Sequence, residues 1–127
     1  MINKPNILMI MADQLAPQAL SLYGNPVCKT PHLDQLAAKS VVFDNAYSNY
    51  PLCVPSRASM MSGLRPHHTN WVLNEDYPRG PTIGGVPTLP QLFRKHGYFV
   101  GGAGKIFHGS VGGYFEPSTW HEYLNPT

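Results

Sequence analysis

Two cysteines, Cys28 and Cys53, are all that this 127-residue chain holds. So few rule out a small scaffold stapled by several bridges, although arithmetic allows a single Cys28–Cys53 pair. Charge is sparse as well. Nine basic residues against seven acidic ones leave a net charge of +2, and the basic side chains are scattered, so there is no electrostatic footprint for nucleic acid. Long apolar runs are missing too: Asn6-Ile7-Leu8-Met9-Ile10-Met11 is too short to span a membrane, and no small-residue cleavage site follows it. This predicts no membrane contact, and a cytoplasmic protein if Met1 is the true start. If a leader has been removed, the expectation becomes periplasmic or secreted. No internal repeat and no low-complexity tract breaks the chain.

Turn formers are abundant. Thirteen prolines and twelve glycines predict a loop-rich chain, while an apolar fraction of 43% keeps it in the folded class, with enough length for one modest domain. Strand and helix patterns alternate, as in an α/β fold with a parallel sheet. The unbroken apolar run Ile7–Met11 reads as a buried first strand. Thr30-Pro31 reads as N-cap and first position of a helix that ends near Ser40. Val41–Tyr47, β-branched and aromatic, reads as a second strand. Ser56–Ser62 reads as a short helix stopped by Gly63, and Thr88 as the cap of a helix over Leu89–His96, with Gly97 as its stop and Tyr98–Gly102 as a third strand. Between them, residues 65–87 show no period and read as a long surface loop.

These elements place polar residues where open parallel sheets collect their ligands. Asp13 falls just past the carboxyl end of the first strand. Cys53 falls in the loop before a helix, facing backbone N–H groups and the positive end of the helix dipole, a setting that suits an anion. Lys105 and His108, in Gly104-Lys105-Ile106-Phe107-His108-Gly109, follow the last strand at the same edge. Each has an ordinary explanation on its own. A lone Asp after a strand is usually a turn or cap residue, a Lys and a His in a glycine-rich loop are usually just solvated, and a lone Cys is most often a small buried hydrophobe.

The surroundings of Cys53 argue otherwise. Cys53-Val54-Pro55-Ser56-Arg57 is followed by Met61-Ser62-Gly63. Tyrosine-phosphatase-like chemistry needs a longer spacing than the three residues between Cys53 and Arg57, and no cysteine-protease signature is present. The stretch resembles the sulfatase signature C-x-P-S-R-x-x-x-[LM]-T-G, with Ser62 in place of threonine. The resemblance covers nearly the whole chain but only the N-terminal portion of that family. It implies an α/β fold, the N-terminal part of an alkaline phosphatase-like sandwich with a mostly parallel central sheet, with residues 1–127 as part of the catalytic domain.

The resemblance also implies a chemistry. In sulfatases a maturation enzyme, here an expected partner, oxidises the signature cysteine to formylglycine, whose hydrated aldehyde carries two hydroxyls on one carbon. Carried over by position, Cys53 becomes that nucleophile and also reaches a divalent cation, Ca²⁺ first and Mg²⁺ as the other candidate. Asp13 binds the cation, and Gln14 beside it offers a neutral carbonyl oxygen as a further metal ligand. Arg57 holds the formylglycine hydroxyl, Lys105 contacts the sulfate group, and His108 orients the aldehyde or the substrate. A hard cation would neutralise the ester's charge and activate the attacking hydroxyl, with Lys105 and Arg57 adding fixed positive charge. Asp34, in Thr30-Pro31-His32-Leu33-Asp34, also fits a family pattern, with a structural role.

Two departures matter. Many sulfatases have adjacent aspartates where this chain has Asp13-Gln14, a form shared with choline-sulfatase-like and phosphonate monoester hydrolase-like branches. The segments around Pro87-Thr88-Leu89-Pro90 and Gly104–Gly109 look more like iduronate-2-sulfatase-like proteins. The chain also stops at Thr127, before the downstream metal pair and the later His and Lys of the family. The expectation is therefore a sulfuric ester hydrolase whose isolated 127 residues are inactive, completed elsewhere or by a second chain carrying the C-terminal part. A non-catalytic truncated domain and a phosphodiesterase or phosphonate monoester hydrolase stand as alternatives.

Overall fold

The computed structural model describes residues 4–76, 82–108 and 119–124, and the chain divides into two compact units, 1–46 and 47–127.

In the first unit, two single 3₁₀ turns, Pro17–Ala19 and Ser21–Tyr23, lead to helix α1, Pro31–Ala37. Proline opens α1 because its missing N–H would have had no helical partner. The Thr30 hydroxyl does not cap the helix. It lies 2.5 Å from the Ser21 hydroxyl, which in turn stands 2.9 and 2.8 Å from the two Asp34 carboxylate oxygens. Asp34 therefore ties the second 3₁₀ turn to α1. Asn25 makes the turn between them, its Oδ1 accepting the N–H groups of Val27 and Cys28 at 2.9 and 2.8 Å.

Two predicted strands are not present. Ile7–Met11 and Val41–Tyr47 make no ladder, and the side chains expected inside lie outside: Leu8 is 84% exposed, Ile10 83% and Val41 80%. An apolar run becomes a buried strand only where neighbouring strands take up its backbone groups and helices cover its faces. Among the described residues no strand pairs with these segments.

In the second unit, α2 (Cys53–Ser62), the four-residue α3 (Pro66–Thr69) and α4 (Leu89–Lys95) pack together, with α2 against both of the others. Val54, Ala58 and Met61 of α2 are buried, and Ile83, Phe107 and Trp120 complete the core. Gly63, at φ 73°, ends α2 in the left-handed region as its residue type predicts. Helix α4 starts at Thr88, whose N–H is accepted by Gln91 Oε1 at 2.7 Å, half of a capping box. It stops at His96 and Gly97, the latter at φ 76°.

The third strand is present but shifted. β1 is Gly101–Ala103, paired in parallel with β2, Glu122–Leu124, in the register Gly101↔Glu122 and Ala103↔Leu124. The His121 N–H extends the pair to the Val100 carbonyl at 2.8 Å. A Cβ on Gly102 would sit 2.7 Å from the Trp120 ring and 2.9 Å from that of Tyr123, so only glycine fits beneath them. This small parallel sheet with its helices is compatible with an α/β fold.

Where a long surface loop is expected, the described residues 65–76 and 82–87 hold regular structure. Besides α3 they hold an antiparallel bridge, Ile83↔Val86, closed by hydrogen bonds of 3.1 and 3.2 Å. Gly84 and Gly85, at φ 58° and 81°, make its two-residue turn, and Ile83 is fully buried. A Gly-Gly pair between β-branched residues is a hairpin signal two residues long, too short to show as a period. Residues 77–81 of that loop lie outside the described set, as does Gly109. Among the described residues no helix is long and apolar enough to cross a membrane.

Candidate active site

Cys53 is the first residue of α2, whereas its sequence context predicts a loop before a helix starting at Ser56. The difference lies in Pro55. It occupies the first turn, where a missing N–H costs nothing, so the helix begins before the proline instead of after it. Cys53 is half-buried and both cysteines are free thiols, with Cys28 exposed.

Each of the motif's other polar residues has a structural partner. Ser48 donates its hydroxyl proton to the Tyr50 carbonyl at 2.8 Å, so the 2.8 Å contact between Ser48 and Ser56 has Ser56 as donor. That pins the approach to Cys53 onto α2. Arg57, 9% exposed, sends Nη1 to the carbonyls of Lys105 and Ile106, the latter at 2.9 Å. One guanidinium thereby binds the Lys105 turn to the cysteine helix.

The same turn is held from β2. The Tyr123 hydroxyl donates to the Gly104 carbonyl, and the Gly104 N–H reaches the Leu124 carbonyl at 3.3 Å. Gly104 has φ 72°, a left-handed backbone that lets the chain leave β1 sharply. With its backbone fixed from both sides, Lys105 extends Nζ to 3.8 Å from Cys53 Sγ, a pair separated by 52 residues. Three of the predicted residues, Cys53, Arg57 and Lys105, thus belong to one bonded cluster.

His108 follows the buried anchor Phe107. Its ring is half-buried, and Nδ1 is buried with no hydrogen-bond partner among the described residues. A buried ring nitrogen without a partner is costly in a finished core, and such groups call for a specific explanation. Asp13 and Gln14 belong to the first unit, both exposed. Gln14 has φ 56°, a left-handed backbone uncommon for a residue with a Cβ and a form of strain that gathers at functional positions. A carboxylate and a carboxamide are hard oxygen donors that suit Ca²⁺ or Mg²⁺, but Ca²⁺ takes about six to eight oxygens. Among the described residues no group of three or more His, Cys, Asp or Glu is gathered to hold a metal. Asp13 and Gln14 fit part of a coordination shell.

Two neighbours of the site escaped the sequence reading. Asn74 Oδ1 accepts the Val54 N–H at 3.1 Å, beside Cys53, and Tyr123 fixes the Lys105 turn. Neither carries a local signature, because both act across the fold.

A family model described as Sulfatase matches residues 5–115. Iduronate 2-sulfatase of Mus musculus is 40% identical over 106 residues, covering 84% of this chain and 19% of that protein. N-acetylgalactosamine-6-sulfatase of Homo sapiens is 39% identical over 103 residues, covering 74% of this chain and 20% of its own length. Delta 4,5-hexuronate-2-O-sulfatase of Bacteroides thetaiotaomicron is 41% identical over 96 residues, 75% of this chain and 20% of its own. The chain spans about a fifth of the length of these curated relatives.

Proposed function

This chain belongs to the sulfatase family, and on that premise we propose that it is the N-terminal part of a sulfuric ester hydrolase, built on an alkaline phosphatase-like sandwich, with Cys53 as the source of its nucleophile. The observation that carries the reading is the Lys105 ammonium held 3.8 Å from Cys53 Sγ by a buried arginine. An inert core cysteine needs no such neighbour. A residue that must attack an anion does.

In this reading a maturation enzyme and its oxidant convert Cys53 to formylglycine, whose hydrated form would supply one hydroxyl to attack sulfur and displace the ester's alcohol, and a second whose loss of a proton breaks the carbon–oxygen bond to the sulfate and restores the aldehyde. The chain's own residues do the rest. Lys105 draws the sulfate group to the first turn of α2, where the helix dipole adds to its charge. Arg57 keeps that turn in place while contributing a second fixed positive charge. His108, whose Nδ1 has no partner among the described residues, is the residue available to orient the aldehyde or exchange a proton with it. Asp13, Gln14 and the matured Cys53 would hold part of the shell of a Ca²⁺ or Mg²⁺ ion, with further oxygen ligands from the rest of the enzyme, in the same polypeptide or a second chain. The sugar names borne by the relatives support a sulfate ester on a uronic acid or hexosamine as the substrate class.

The test is hydrolysis of nitrophenyl sulfate and of sulfated uronic acid and hexosamine saccharides by the full-length protein co-expressed with a maturation enzyme. Cys53→Ala should abolish release of sulfate. Turnover that survives this substitution, or a preference for a phosphonate or phosphodiester over every sulfate tried, would overturn the reading.

A further inference from the structure

Helix α2 has a capping problem at the end that matters most. Its N-cap residue, Leu52, has no side-chain oxygen to offer, and no side-chain cap forms there. Val54, at the second helical position, is only 6% exposed, so its N–H has little access to water as a substitute partner. The partner comes from 20 residues away: Asn74 Oδ1 accepts that N–H at 3.1 Å.

Asn74 is presented by a turn with its own lock. Asp76 Oδ2 accepts the N–H groups of Val72 and Leu73 at 2.7 and 2.8 Å, and the Asp76 N–H returns to the Leu73 carbonyl at 3.3 Å. Asn74 sits inside this closed segment, half-buried, with its carboxamide aimed at the first turn of α2. A turn fixed by its own aspartate loses little freedom when it engages the helix, so the cap is organised in advance.

We infer that Asn74 is a positioning residue for Cys53: it clamps the first turn of α2 and so fixes the orientation of the cysteine, with Asp76 acting through it. The part played by that orientation in catalysis rests on the sulfatase reading; the clamp itself does not. Lys105 approaches the cysteine from the turn after β1, which Arg57 of α2 holds by its carbonyls, and Asn74 holds the helix start from the 66–76 segment.

Amide exchange of the ¹⁵N-labelled chain, with iodoacetamide labelling of Cys53 measured against Cys28, tests the inference. Asn74→Ala should speed exchange at Val54 about fivefold, the usual worth of one helix cap. It should raise the Cys53-to-Cys28 labelling ratio severalfold as the helix start frays, and leave the amides of α4 unchanged. Asn74→Asp keeps an acceptor oxygen and adds a charge that a helix N-terminus favours, so it should retain the wild-type values. Asp76→Ala should shift both readouts in the direction of Asn74→Ala, which keeps the test open if that variant does not fold. An unchanged Val54 rate, a parallel loss of protection throughout α4, or an Asn74→Asp protein that behaves like Asn74→Ala would overturn the clamp. Neither readout involves a sulfate ester, so a protein that passes both and lacks turnover would tell against the sulfatase reading alone.

Discussion

Lys105 Nζ donates to Cys53 Sγ across 3.8 Å, and the buried Arg57, one helical turn beyond the cysteine, holds the backbone from which that lysine extends. The motif and the lysine turn are one mechanical piece. A charge held in position before substrate arrives needs no reorganisation during reaction.

Removing that charge should therefore cost rate more than binding. In the matured full-length protein, Lys105→Ala is expected to lower kcat for nitrophenyl sulfate by about 10²-fold or more. Formylglycine content, read by peptide mass spectrometry, should be unchanged, which separates a catalytic loss from failed maturation.

Cys53 itself should be convertible. Co-expressed with a maturation enzyme, the chain should yield a Cys53 peptide with the mass of formylglycine and a Cys28 peptide with an intact thiol. A thiol at Cys53, under conditions that convert a control sulfatase, would sink the nucleophile assignment.

Arg57→Ala should destabilise the fold as well as the site. It takes a buried donor from the carbonyls of Lys105 and Ile106, a loss of about 1–3 kcal/mol for acceptors left without a partner. Urea unfolding of the wild-type and variant chains, compared at equal m-values, measures it.

Gly102→Ala should be costly for a steric reason. The new methyl would stand 2.7 Å from the Trp120 ring, which is itself 7% exposed and has nowhere to retreat. A loss of about 1–3 kcal/mol is expected from overpacking, visible as a lower Tm and altered tryptophan fluorescence.

The 127 residues by themselves should bind Ca²⁺ and Mg²⁺ only weakly. Asp13 and Gln14 offer one charge and few oxygens, and affinity follows both. Isothermal titration should show no tight site; a tight site abolished by Asp13→Ala would mean that this chain gathers ligands beyond those named here.

The sequence alone determined whatever depends on neighbours along the chain. Thr88 and Gly97 set the limits of α4, Gly63 stopped α2, Pro31 opened α1, and the motif from Cys53 through Arg57 to Gly63 carried the resemblance to the family that matches the chain, because caps, stops and motifs act over a few residues. Tertiary structure decided the rest. Ile7–Met11 and Val41–Tyr47 carry a strand pattern yet form none, since a strand exists only with a partner and a pattern cannot supply one. Glu122–Leu124 carries a weak pattern and is a strand, because β1 and the Trp120 ring over Gly102 hold it in register. Asn74 at the start of α2 and Arg57 beneath the Lys105 turn act across 20 and 48 residues, and side-chain hydrogen bonds over such separations leave no local trace. The candidate residues could thus be named from the chain, while their geometry, a cysteine at the head of a helix with a braced lysine beside it, came from packing.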